Sequence, residues 1–200
     1  MNKLLVAVIA VLSFVNVAQA QGDIDAGKTK SATCVACHGA DGNSPSNLYP
    51  KIAGQHASYL VKQLQEFKSG ERDNAIMLGM VAGLSEQDME DLAAYFSSQT
   101  TTPETVSEEV AEAGKKFYMG GDKSRNIPGC TACHGPRGNG LELAKFPKIS
   151  GQHPAYLKLQ LENFRDNLRH NSANGMMQDI SGKLTDKDIE LLSKYISALH

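Results

Sequence analysis

The segment Cys34-Val35-Ala36-Cys37-His38-Gly39 recurs as Cys130-Thr131-Ala132-Cys133-His134-Gly135, 96 residues further along the chain. Its surroundings recur with it. Ala26-Gly27-Lys28 matches Ala113-Gly114-Lys115. Tyr49-Pro50-Lys51-Ile52-Ala53-Gly54-Gln55-His56 matches Phe146-Pro147-Lys148-Ile149-Ser150-Gly151-Gln152-His153 at a spacing of 97, and Tyr59-Leu60 matches Tyr156-Leu157. Met77 to Leu84 matches Met177 to Leu184 at a spacing of 100, and Tyr95 matches Tyr195. The spacing is 87 at Ala26 and then drifts only from 96 to 100, which in a 200-residue chain excludes a solenoid of short repeats. It marks one domain used twice in tandem.

Each half reads as helical. An opening helix from Gly22 to Thr33 runs into the first Cys motif. From Ala57 to Ser69, Leu60, Leu64 and Phe67 fall near the helical period. Ser85-Glu86-Gln87-Asp88 has the pattern of a capping box opening a last helix that ends near Ser98. The second half predicts helices over Ser107 to Tyr118, Pro154 to Leu168 and Thr185 to Leu199, with Thr185 and Asp188 as a weaker capping pair. No stretch alternates like a strand. Pro103 and several Thr between Gln99 and Ser107 suit a short linker. The expected division is a signal segment over 1–20, an N-terminal domain over 21–102 and a C-terminal domain over 103–200.

The first twenty residues carry an export pattern. Lys3 precedes an apolar run from Leu4 to Val17, and Ala18-Gln19-Ala20 is a small-residue cleavage site, so cleavage after Ala20 and a periplasmic destination are expected. A retained anchor is the competing reading, but the run is short for a bilayer span. No later segment is apolar enough to cross a membrane. The mature halves are small, aromatic-poor and without Trp, so a cofactor would supply core that the side chains lack. Residues 21–102 hold 6 Lys/Arg against 10 Asp/Glu, and residues 103–200 hold 13 against 12. Such a dipole can orient docking to a charged partner. There is no basic block or aromatic ladder for nucleic acid.

Cys-x-x-Cys-His is the attachment signature of a c-type haem. Two thiols one helical turn apart reach the two vinyl groups of a porphyrin, and the next residue, His38 or His134, aims its imidazole at the iron. Other readings fit less well. A thioredoxin-type disulfide normally sits beside a βαβ pattern, which is missing. A zinc site needs four ligands, and each half offers a Cys-Cys-His set without the usual second pair. Structural disulfides remain possible for an exported protein, but the two matched motifs favour two haem c groups bound through Cys34, Cys37, Cys130 and Cys133.

A sixth iron ligand should recur in both halves, whereas a core filler can be exchanged for Ile. Met77 aligns with Met177. Met80 aligns with Ile180, Met176 with Ile76 and Met89 with Ile189, and Met119 has no partner. Met77 and Met177 are therefore the axial candidates, because Met ligation suits electron transfer. Pro50 and Pro147 lie in matching loops and could offer a rigid carbonyl to the second nitrogen of each His. His56 and His153 read as surface or propionate-contacting residues rather than iron ligands.

On these residues the chain resembles the cytochrome c4 family, the dihaem periplasmic class I cytochromes c of proteobacteria. The likeness spans essentially the whole mature chain. It is carried by both Cys-x-x-Cys-His-Gly motifs, Asp41-Gly42-Asn43-Ser44-Pro45, the Tyr49 to Gln55 and Phe146 to His153 loops, and Ala94-Tyr95-Phe96-Ser97-Ser98-Gln99. The resemblance implies an all-α fold of two cytochrome c-like domains facing each other across a pseudo-twofold axis. It further implies His38 with Met77 on one iron and His134 with Met177 on the other. It implies a carrier, not an enzyme, that passes electrons from quinol-oxidising complexes to a terminal oxidase or other reductase. The loop from Gly70 to Met77 is shorter than in some members.

Two other functions compete. A dihaem enzyme such as a peroxidase would need one open haem and a nearby acid–base residue; the matched Met77 and Met177 argue against that. An electron-entry subunit of a larger oxidoreductase is harder to separate from a free carrier.

Overall fold

The computed structural model describes residues 22–200. The export segment and its cleavage point after Ala20 lie outside the described residues. Among the described residues there is no sheet, only two isolated antiparallel bridges, Asp122 with Ile127 and Leu141 with Phe146. The N-terminal half contains α1 (Ile24–Lys30), α2 (Val35–His38), α3 (Ala57–Ser69), α4 (Ala75–Val81) and α5 (Glu86–Ser97). The C-terminal half repeats them as α6 (Glu108–Gly120), α7 (Thr131–His134), α8 (Pro154–Arg165), α9 (Met176–Ser181) and α10 (Asp186–Ser197). The chain is all-α and built as two cytochrome c-like units.

Most helix ends follow side-chain chemistry. Asp23 accepts the backbone N–H groups of Asp25 and Ala26, so α1 begins at Ile24, two residues after the expected Gly22. Beyond Lys30 the chain tightens into a 3₁₀ turn, Ser31–Thr33. Ser85 with Asp88 and Thr185 with Asp188 both form complete capping boxes, so the pair that looked weaker in sequence is as fully made as the other. Helix α8 ends at Arg165, short of the expected Leu168. Asn167 takes a left-handed conformation (φ 57°), and the amides of Leu168 and Arg169 turn back to the Asn163 carbonyl. Helices α4 and α9, which carry Met77 and Met177, were not legible from periodicity because each is about two turns long.

In each half the first helix crosses the last at a glycine. A Cβ on Gly27 would lie 2.0 Å from the Asp91 carbonyl oxygen, and one on Gly114 would lie 2.3 Å from Cβ of Tyr195. Only a residue without a side chain lets these backbones approach so closely. Leu92, Tyr95 and Phe96 form the N-terminal core, with Met89 and Val81 also buried. The C-terminal core is larger and includes Tyr118, Ile127, Leu157, Ile189, Leu192 and Ile196. Met89 and Ile189 are interchangeable core fillers at matched positions.

The halves meet through reciprocal bonds. The Gln152 side chain accepts from Lys51 N (2.8 Å) and donates to Lys51 O (2.7 Å); the Gln55 side chain does the same with Lys148 (2.9 and 2.8 Å). Behind them, Arg72 donates to Tyr156 and Gln160, and Arg169 donates to Tyr59 and Gln63. Each guanidinium also covers a phenyl ring of its own half, Arg72 over Phe67 at 4.6 Å and Arg169 over Phe164 at 4.5 Å. Residue i meeting j while j's counterpart meets i's counterpart is the signature of an isologous, pseudo-twofold contact. The linker runs across this contact. Lys51 Nζ donates to Thr102 O and pairs with Glu104, and Lys148 Nζ donates to Thr101 Oγ1.

Candidate functional site

Each Cys-x-x-Cys-His motif forms a single helical turn. His38 N and Cys37 N both bond to Cys34 O, and His134 N and Cys133 N bond to Cys130 O in the same way. That turn places the two thiols of a motif on adjacent positions of one short helix, with the imidazole directly after them. Gly39 and Gly135 end the turns at φ 79° and 74° with extended ψ, a conformation open essentially to glycine alone. The sixth residue of the motif is thus a backbone requirement.

Among the described residues no disulfide joins any of the four cysteines, so the disulfide reading is not realised. Burial pushes the Cys130 thiol up to about 11 and raises that of Cys34.

The imidazoles are held alike. His38 Nδ1 lies 2.9 Å from Pro50 O, and His134 Nδ1 lies 2.9 Å from Pro147 O. A carbonyl can only accept, so Nδ1 carries the proton and donates it. Burial lowers the basicity of both rings, more than the carbonyl contact restores. Each ring is therefore neutral with its lone pair on Nε2, and neither Nε2 has a hydrogen-bond partner among the described residues. A neutral imidazole with a fixed, unengaged Nε2 beside two free thiols is the donor set that a covalently bound haem requires. Pro has no N–H and a fixed φ, which makes its carbonyl loop a stiff acceptor.

Tyrosine hydroxyls tie down the chain at the end of each motif, a feature that sequence matching missed. Tyr95 OH donates to Ala40 O, and Tyr118 OH donates to Gly135 O, both at 2.7 Å. The matched residue Tyr195 does not take this role. The C-terminal half recruits Tyr118 from α6 instead, at the position of Ser31 in the first half.

Met77 and Met177 are both partly buried and lie in the first turn of α4 and α9. Asn74 Oδ1 accepts Met77 N at 2.9 Å; Ser172 Oγ accepts Met177 N at 3.2 Å. Met80 and Met119 are exposed. His56 and His153 lie at the interface rather than on the open surface. His56 Nε2 contacts Asn139 O at 2.7 Å, and the buried His153 contacts Ser44 O at 2.9 Å. Their recurrence, like that of Gln55/Gln152 and Tyr59/Tyr156, was the available sign of a symmetric contact.

Two such sites on one all-α duplicated scaffold define a dihaem c-type cytochrome. The sequence pattern of the cytochrome c family matches residues 24–100 and again 111–200. The chain is 46% identical to a cytochrome c4 of Stutzerimonas stutzeri over the full length of both proteins. It is 34% identical to a thiosulfate dehydrogenase electron acceptor of Thiomonas intermedia, over 84% of this chain and 79% of that one. The crystal structure of reduced recombinant cytochrome c4 from Pseudomonas stutzeri superposes with a TM-score of 0.86 at 46% identity, covering 90% of this chain and all of that one. The chain belongs to the cytochrome c4 family: it carries two covalently bound haem c groups, on Cys34 and Cys37 and on Cys130 and Cys133, and it transfers electrons.

Proposed function

We propose that the protein is a periplasmic electron carrier, exported by its first twenty residues, with both irons bound by His and Met: His38 with Met77, and His134 with Met177. The domains divide within the linker at residues 102 and 103. Bound haem supplies an iron that gains or loses one electron. The protein's part is to keep each imidazole neutral and oriented through Pro50 and Pro147, and to exclude water with the cores packed around each motif. The observation that carries this reading is the equality of the two sites. Both Nδ1–carbonyl bonds measure 2.9 Å, and both methionines sit in the first turn of equivalent helices. An enzyme of the peroxidase kind needs one open iron and one closed, and nothing in this arrangement favours that difference.

The partners fitting a soluble carrier are a quinol-oxidising complex as donor and a terminal oxidase or other reductase as acceptor. A second reading, favoured by the Thiomonas relative, is the acceptor of electrons from a periplasmic oxidoreductase. Among the described residues no helix is long and apolar enough to cross a membrane. Nucleic acid is not a partner on this reading.

Optical and magnetic spectra of the oxidised protein test the ligation. Two low-spin haems with a Met-to-iron charge-transfer band are expected, half of it lost in Met77→Ala and half in Met177→Ala. A high-spin haem in the unaltered protein would refute the carrier reading.

A further inference from the structure

The symmetry of the interface breaks ahead of the second methionine. From Tyr49 to Arg72 the halves match at a spacing of 97, but Met77 and Met177 match at 100. The three additional residues fall between Arg169 and Met177, on the segment leading to the second methionine. Asn171 lies in that segment and is buried. Its Nδ2 donates to Glu66 Oε2 at 2.6 Å and to Gln63 Oε1 at 3.0 Å, and its Oδ1 accepts Arg169 Nε at 2.8 Å. Its backbone carbonyl accepts Lys62 Nζ at 3.0 Å, and Lys62 also pairs with Glu66. The next residue, Ser172, accepts Met177 N through its hydroxyl.

Three of these contacts come from α3 of the other half. We infer that Lys62, Gln63 and Glu66 form a brace by which the N-terminal domain positions the Met177 loop of the C-terminal domain, without a counterpart acting on Met77. Lys62 is matched by Leu159, which is half exposed, and Glu66 by Asn163. Asn74, which caps the Met77 turn, has no hydrogen bond from the C-terminal half among the described residues. The brace thus secures one of two otherwise equal ligands. Glu66 is a positioning residue. Buried between Gln63, Lys62 and Asn171, its carboxylate makes charge-assisted bonds, the stronger kind.

The inference rests on Met177 as an iron ligand, and the test separates the two. Hydrogen exchange is measured on the dihaem protein and on its Asn171→Ala and Glu66→Gln variants. Exchange of amides 170–178 should rise about tenfold in Asn171→Ala, by less in Glu66→Gln, which keeps an acceptor, and not at all over 73–78. Imidazole then probes the irons, because an exogenous ligand binds more tightly in proportion to the population with methionine detached. With Met77→Ala as background, the surviving Met–iron band reports the C-terminal iron. Adding Asn171→Ala there should tighten imidazole binding about tenfold, whereas adding it to Met177→Ala should leave the N-terminal iron unchanged. Unaltered exchange over 170–178, or equal acceleration of 73–78, overturns the brace. If Met177→Ala removes no Met–iron band, the ligation reading fails, while the exchange result still decides whether the brace exists.

Discussion

Gly114 and Tyr195 touch so closely that a Cβ on the glycine would stand 2.3 Å from the tyrosine's own Cβ. The first and last helices of the C-terminal half are locked at this point, and Gly27 against Asp91 repeats the lock in the N-terminal half. Alanine is the better helix former by roughly 1 kcal/mol. The overpacking it would cause costs about 1–3 kcal/mol, and at Gly27 the obstructing atom is backbone, which cannot rotate away. Gly27→Ala and Gly114→Ala are therefore expected to destabilise their domains. Denaturant unfolding of the holoprotein measures this; a rise in stability would refute the lock.

The tyrosine hydroxyls give a sharper contrast. Tyr95 and Tyr195 are matched in sequence, yet it is Tyr95 and Tyr118 whose hydroxyls bond to carbonyls at the end of each motif, Ala40 O and Gly135 O. Tyr95→Phe and Tyr118→Phe should each cost about 1 kcal/mol, the net worth of a buried hydrogen bond. Tyr195→Phe should cost clearly less. Thermal unfolding of the three variants distinguishes them, and equal losses at all three positions would contradict the assignment.

Acid should strip a defined set of bonds. Lys30 lies 2.5 Å from Asp91 and 2.6 Å from Asp88, and its ammonium holds both carboxyls below the usual range. In the C-terminal half Ser124 and Arg125 hold Asp122 down at about 2, and Asp188, also paired with Arg125, is lowered despite its partial burial. A depressed carboxylate stabilises the fold above its unfolded pKa, about 3.9, and the contribution disappears as pH falls through the folded value. Stability should therefore fall from about pH 4 downward. Asp91→Asn should flatten that slope, which urea unfolding between neutral and acid pH would reveal. An unchanged slope would remove Asp91 from the account.

Charge asymmetry predicts unequal redox potentials. Residues 21–102 carry 6 basic against 10 acidic side chains, and residues 103–200 carry 13 against 12. Acidic surroundings favour the more positive ferric state, so the N-terminal haem should have the lower potential, with the gap narrowing as salt screens the charges. A potentiometric titration that gave a single step for both haems would count against this.

Much of the protein was legible along the chain because its determinants are local. The two Cys-x-x-Cys-His runs state their covalent chemistry within five residues each. The duplication, the capping residues Ser85 and Thr185 and the apolar spacing of α3 need no knowledge of distant contacts. The recurrence of Met77 and Met177 singled them out by comparison of the chain with itself. The sequence was a poorer guide to the termination of α8, because Asn167 turns the chain only when the Asn163 carbonyl is there to receive the next amides.

Other features were decided only by the docking of the two halves. His56 and His153 read as surface residues until the twofold contact set them against carbonyls of the opposite domain. Arg72 and Arg169 are ordinary charged residues in sequence; in the fold each bonds across the interface to the partner's tyrosine and glutamine. Glu66 and Asn171, separated by 105 positions, meet because three additional residues before Met177 carry that loop to α3. Attachment chemistry and helix formation depend on neighbours along the chain, so the sequence by itself determined them. The asymmetry between two copies of one domain depends on which side chains share a buried, water-excluded contact, where an unpaired polar group is costly, and that only the tertiary structure decided.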